Sequence, residues 1–257
     1  MRSQILLVLG ILLVEVVRGA SASPSKVYTY VGHEIEPFFY KAGSQGVQGA
    51  YFDVVNEVCK KRKWQCKFKI APFRAAIDMI QSGKADFGGP MALTEQRKAI
   101  LSFSDPLFET GYCFYASPRN YQSNMTYQNL IGKSVGVFGP SATELSLQRV
   151  NEVTNQQIKI FQEPDYNSAL RKTEANTYNF TYANCDTGKH WIERNRSQLK
   201  EVPGLKDTTL YHVVFTKKNL TEQDLRDFNM TLGELRKSGF LDSIAEKHKI
   251  KLAPSVK

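Results

Sequence analysis

Between Gly83 and Pro106 the chain reads GKADFGGPMALTEQRKAILSFSDP, and this stretch constrains the fold more than any other. Ser82-Gly83 closes a helical pattern, and Ala85-Asp86-Phe87 opens a short buried strand. Gly88 and Gly89 carry no side chain, so a ligand or another length of backbone can approach closely there. Pro90 lacks an N–H but keeps its carbonyl. Thr94 is placed to cap a helix whose first turn holds Glu95, Gln96 and Arg97. A fixed cation thus stands beside the free N–H groups of a helix start. Backbone donors and a guanidinium fork together suit a carboxylate or a phosphate. The alternative is a surface arginine paired with a nearby acid.

The chain around this stretch alternates strands and helices. Val27–Val31 and Phe68–Ile70 read as strands. Val54, Val55, Val58 and Cys59 lie on one helix face, and Ile77, Met79 and Ile80 follow in a second helix. This pattern predicts βαβ units and a mostly parallel sheet. Such sheets bind ligands beyond the C-terminal strand ends, where Pro90 and Arg97 would lie. Gly111–Ser117 reads as a strand, as do Val135–Phe138, Ile158–Phe161, Tyr178–Ala183 and Leu210–Thr216. Ser141 with Glu144 has the spacing of a capping box at a helix start. One or two amphipathic helices are expected over 220–249, with Gly239 as the break between them.

Arg2, the apolar run Ile5–Val14 and Ala20-Ser21-Ala22 compose an export leader over residues 1–22, too short to span a bilayer. No later stretch approaches membrane-spanning length. The formal net charge of +9 is spread along the chain, and its densest run, Lys60–Lys63, lies at a helix end. That run reads as a solvated face favoured by the helix dipole, and no nucleic-acid partner is expected.

Export bears on the four cysteines. Cys59 and Cys66 flank a helix end in CKKRKWQC, a spacing that favours a local disulfide in an oxidising compartment. Cys113 and Cys185 either pair with each other or stay buried and free. No clustered His/Cys spacing marks a metal site, and neither metal nor cofactor is expected. Asp186 and His190, four residues apart, read as an ion pair on a helix surface. Five Asn-x-Ser/Thr sequons, at Asn124, Asn179, Asn195, Asn219 and Asn229, point to a glycosylated, secreted protein.

The linked motifs Gln81-Ser82-Gly83-Lys84-Ala85-Asp86, Leu93-Thr94-Glu95-Gln96-Arg97 and Ser102-Phe103-Ser104-Asp105-Pro106 resemble the signature of the family 3 extracellular solute-binding proteins. They also resemble the related ligand-binding core of ionotropic glutamate receptors. Gly49–Val55 and Gly132–Phe138 are similar to two further elements of that family. The resemblance covers nearly all of the chain after residue 26.

It implies an α/β fold of the periplasmic binding protein-like type II class, with two α/β lobes and a hinge. The first lobe would comprise 26–116 and 213–252, and the second 117–212, with crossings near Ser117 and Val213. The implied ligand-binding set is Phe38, Phe73, Pro90, Ala92, Arg97, Ser141, Ala142 and Asn184, with Ile35 and Glu36 as further candidates in the loop that borders the ligand. Arg97 would hold an acidic group, with the N–H groups of Ala92 and Ala142 assisting. Pro90 would offer its carbonyl, Phe73 would pack on the ligand's apolar part, and Ser141 and Asn184 would close from the other side.

By register Asn184, or else Ala183, stands where the resemblance implies an acid for the ligand ammonium, and Asp186 comes two residues late; an Asn accepts a hydrogen bond but supplies no charge. The resemblance therefore implies a secreted binder of a small anionic or amino-acid-like ligand, without catalytic activity. A transporter or receptor partner is not specified. Two other readings stand beside it. One is a receptor-like extracellular interaction module. The other is a dehydratase-type enzyme on the same scaffold, for which Glu34, Glu36 and Asp186 are the acid/base candidates.

Overall fold

The structure is a computed structural model that describes residues 27–255, so the leader expected over 1–22 lies outside the described residues. Strand β1 (Val27–Gly32) is followed by the two-residue strands β2 (Tyr40–Lys41) and β3 (Val47–Gln48), which pair with each other. Helix α1 (Ala50–Lys61) begins where Gly49 adopts a φ of 117°, and a Cβ at Gly49 would stand 2.4 Å from the Phe38 carbonyl oxygen. Its buried face is Tyr51, Val54, Val55, Val58 and Cys59. The Cys59–Cys66 disulfide joins its end to β4 (Gln65–Ile70). Helix α2 (Phe73–Gln81) leads to β5 (Phe87–Ala92), every residue of which is buried. A Cβ on Gly88 would lie 2.1 Å from the Val31 carbonyl oxygen, so glycine is what lets β5 lie against β1.

The short helix α3 (Glu95–Ile100) and β6 (Leu101–Phe103) lead into β7 (Phe108–Ala116). The next elements are β8 (Ser134–Phe138), α4 (Ala142–Val153), β9 (Lys159–Glu163), α5 (Tyr166–Glu174), β10 (Phe180–Asn184) and α6 (Cys185–Asn195). The chain returns through β11 (Lys200–Thr216) and ends in α7 (Glu222–Lys237), α8 (Phe240–His248) and β12 (Lys251–Leu252). Gly239, at a φ of 76°, separates the two last helices, as the sequence led us to expect.

The strands form one ten-stranded sheet in the order β4-β1-β5-β11-β7-β10-β8-β9, with β12 on β7 and β6 on β11. Parallel pairing holds within β4-β1-β5 and within β10-β8-β9. The sheet is nonetheless mixed, because β7 and β11 run antiparallel to their neighbours and to each other. These two strands join the halves. β11 is ten residues longer at its start than the expected strand. Its first part, interrupted by a register shift between Glu201 and Lys206, lacks the apolar run that marks Val213–Phe215. One core gathers the aromatic side chains of β1, α1, β5 and α7, and a second gathers Phe114, Leu130, Val135, Leu147 and Phe180.

Candidate ligand-binding site

Thr94 caps α3 as its sequence position requires: its side chain accepts from the Arg97 N–H at 3.3 Å. That cap fixes where Arg97 leaves the helix. The guanidinium Nη1 donates to the Ala92 carbonyl at 2.9 Å, and the group lies 5.2 Å from the centre of the Phe73 ring. Burial lowers its pKa, and the groups acting on it electrostatically are Tyr112, Tyr211 and Tyr166. No ion pair to Arg97 occurs among the described residues.

Arg97 points into a cavity between the two halves of the sheet. Phe73, Pro90, Ala92, Ser141 and Ala142 line it, so the structure brings together six of the eight residues singled out in the sequence. Phe38 and Asn184 lie elsewhere. Phe38 is fully buried one layer below, against Tyr211, Tyr51 and Phe108, where it fills the core. Asn184 caps α6: its Oδ1 accepts from the Thr187 N–H at 3.0 Å, and its Nδ2 donates to Thr110 and Tyr211 at 2.8 and 3.1 Å. Its amide is thereby fully engaged. Ser141 caps α4 by accepting from the Glu144 N–H, and its own proton goes to the Phe138 carbonyl at 2.6 Å. The reciprocal half of the expected capping box is absent, because Glu144 bonds Gln148 and Gln162 instead.

The sequence reading missed half of the wall. His33 stacks on Phe138 at 6.0 Å and meets Phe73 edge-on at 4.8 Å. Tyr112, Thr143, Tyr166 and Tyr211 bring hydroxyls to the same space, and those of Thr143 and Tyr166 are 2.7 Å apart. The remaining volume is about 20 Å³, room for about one water. Beyond His33, Phe73 and Phe138 a second chamber of about 290 Å³ opens between Ile70, Pro72 and Pro164.

Burial, then Arg97, lower the His33 pKa to about 3, so its imidazole is neutral at pH 7. An unfolded chain binds a proton there near pH 6.5 and the folded protein does not. Stability should therefore fall as pH drops from about 6.5 towards 3, by up to about 1.4 kcal/mol per unit from this group. Urea midpoints across that range should fall less steeply for His33→Phe. Parallel curves for the two proteins would mean that His33 is not the group that titrates.

Glu36 lies outside this cavity. Its carboxylate pairs with His190 at 3.0 Å and with Arg194, tying the loop after β1 to α6. The His190 bond chiefly holds its carboxyl below the ordinary range, against the opposing effect of burial. Lys249, directly after α8, pairs with Glu193 of α6 at 3.0 Å. The expected Asp186–His190 pair does not form: His190 turns to Glu36, and Asp186 accepts from the Thr110 hydroxyl at 2.5 Å. Glu34 is exposed and accepts from the Lys41 N–H. Glu34, Glu36 and Asp186, the three acid/base candidates, thus all stand away from Arg97. Cys113 and Cys185, whose state the sequence left open, are joined, locking β7 to the first residue of α6.

Two lobes facing each other across a pair of long crossing strands, with a cationic pocket between them, define a type II periplasmic binding protein fold. The profile of the bacterial extracellular solute-binding proteins, family 3, matches residues 29–250, and the chain belongs to that family. The lysine/arginine/ornithine-binding periplasmic protein of Escherichia coli K12 is 24% identical over 239 residues, 89% of each chain. The "Probable histidine-binding protein" of Neisseria gonorrhoeae is 23% identical over 231 residues, 89% of this chain and 85% of its own length. Among solved structures, an ancestral arginine-binding protein bound to arginine superposes with a TM-score of 0.76 at 26% identity, over 86% of this chain and 97% of its own.

Proposed function

We propose that this is an extracellular solute-binding protein that closes its two lobes on a small carboxylate-bearing ligand held by Arg97. The observation that carries this reading is Arg97 itself. It is a partly buried cation, aimed into the interlobe cavity, with no carboxylate partner among the described residues. A buried charge without a counter-charge is costly, and a bound anion supplies that counter-charge. The relatives are named for histidine, arginine, lysine and ornithine, all of which carry a carboxylate. With about 20 Å³ left beside Arg97, a ligand would enter with the lobes further apart.

In this reading the lobes are 26–116 with 213–252 and 117–212, and β7 and β11, which contribute side chains to both cores, form the hinge. The protein is secreted and binds without turnover; the relatives are named as binding proteins. Asn124 is the sequon we favour for a glycan. It is exposed, whereas Asn179, Asn195, Asn219 and Asn229 use their amides in hydrogen bonds to other residues.

A thermal-shift screen against carboxylates tests the reading. A ligand at about 100 times its dissociation constant adds about 2.7 kcal/mol, which raises the midpoint by about 5–10 °C. Arg97→Ala should weaken that ligand at least about tenfold, or about 1.4 kcal/mol. Unchanged affinity in the variant removes Arg97 from the site. One observation favours a second reading, an interaction module that keeps the fold without a ligand: tyrosines and His33 fill most of the cavity. A well-folded protein that shifts with no carboxylate would support that reading instead.

A further inference from the structure

Cations occur throughout the chain, but their excess over acids does not. Residues 58–77 hold seven cations, from Lys60 to Arg74, and neither Asp nor Glu. The rest of the 34 Lys and Arg are nearly balanced by the 25 Asp and Glu. The fold gathers the unbalanced charge on one rim. Lys60 and Lys61 end α1, Lys63 lies in the turn after it, Lys67 and Lys69 are on β4, and Arg74 is in the first turn of α2. β4 is an edge strand, paired with β1, and its alternation puts Lys67 and Lys69 on one face. The Cys59–Cys66 disulfide fastens the end of α1 to the start of β4, which fixes the spacing of the two groups of lysines. The six residues of β4 span about 20 Å, so the cations form a strip. All of them except Arg62 are exposed. Arg62 pairs with Asp227, and Lys60 lies 3.6 Å from Glu57. Lys61, Lys63, Lys67, Lys69 and Arg74 have no ion pair among the described residues. The helix dipole accounts for Lys60 and Lys61, and edge protection for a charge on β4. Neither accounts for a strip of this length with no acid to balance it.

We propose that this rim, from the end of α1 along β4 to Arg74, binds a linear sulfated polysaccharide. Repeated anions on an extended polymer match repeated cations along a strand, and each contact releases a counterion held by the polymer. Nucleic acid fits less well. The aromatic residues of the stretch, Trp64, Phe68 and Phe73, are not exposed, so no platform for stacking bases accompanies the charge. The two disulfides suit an oxidising compartment outside the cytoplasm, away from cellular nucleic acid. A lipid surface also fits less well, because no large exposed apolar side chain lies within 58–77 to enter it. The inference is independent of Arg97 and of what Arg97 holds.

Titration of the folded protein with heparin, at a low and a moderate salt concentration, tests the proposal. Replacing Lys67, Lys69 and Arg74 together by alanine should weaken binding at least about tenfold and make it less dependent on salt. Removing the same number of charges at Lys133, Lys159 and Lys237, exposed lysines elsewhere on the chain, should change it less than about twofold. Lys67→Arg with Lys69→Arg should bind heparin as the unaltered protein does, since charge is kept along the strip. Equal losses in the two alanine triples would reveal an effect of net charge alone and overturn the proposal, as would no binding to heparin at the lower salt. Tighter binding to a single-stranded oligonucleotide or to phosphatidylserine vesicles at the same ionic strength would overturn the assignment to a polysaccharide. A negative result here leaves the role of Arg97 untouched, because these variants alter neither Arg97 nor the residues around it.

Discussion

Replacing Cys113 and Cys185 together with alanine should cost about 4 kcal/mol of stability, against about 2 kcal/mol for the same change at Cys59 and Cys66. The difference follows from chain length. The first bridge closes a separation of 72 residues and the second only 7, and a crosslink restricts the unfolded chain more when the loop is longer. For a protein of this size the larger loss lowers the thermal midpoint by about 8–16 °C. Alanine is the better replacement because Cys113 and Cys185 are both buried, and serine would add an unpaired hydroxyl. The long bridge also reaches the site. Cys185 follows Asn184 directly, and Asn184 is the residue that holds Thr110 and Tyr211. Calorimetry on the two double variants decides the matter. Equal losses would mean that native-state packing, not loop closure, sets the worth of each bridge.

What the sequence made legible was local. Thr94 and Arg97 are three residues apart, so one helical turn brings them together whatever the rest of the chain does. The same holds for Ser141 with Glu144, up to the point where a distant residue, Gln162, takes the Glu144 carboxylate for itself. Asn184 was the missed local signal. An Asn directly before a helix, with Thr three residues on, is a capping pattern, and its cap role explains why it does not face the cavity.

The rest needed register. Tyr211 enters the site because it pairs with Ala92, and Cys113 meets Cys185 because it pairs with Ala183, two residues before Cys185 in the chain. Strand pairing between residues so far apart in the chain leaves no trace in spacing. Position 38 illustrates the same limit in a loop. The bonds between Ile35 and Phe39 fold the segment back on itself, which turns Phe38 into the core, while His33, before the turn, lines the cavity at Arg97.

Phe87→Ala should cost about 3–5 kcal/mol, at the upper end for a single core truncation. Phe87 is fully buried and its ring lies within 6.5 Å of five others: Tyr28, Tyr30, Trp64, Phe215 and Phe228. It pairs in register with Tyr30 on β1 and with Phe215 on β11, and Phe228 brings α7 down on the same point. Three strands and the C-terminal helices therefore meet on one side chain. Partners anchored in several rigid elements cannot all move inward, so the cavity left by alanine should stay open. Phe87→Leu, which keeps most of the volume, should lose less than half as much. Urea unfolding of the two variants gives the comparison. A cost below about 1 kcal/mol for alanine would show that the cluster collapses around the gap. The other end of the same strand is Pro90–Ala92, and Arg97 rests on the Ala92 carbonyl. A collapse that shifts β5 would thus be felt as weaker ligand binding, whereas an open cavity would leave the site in place at reduced stability.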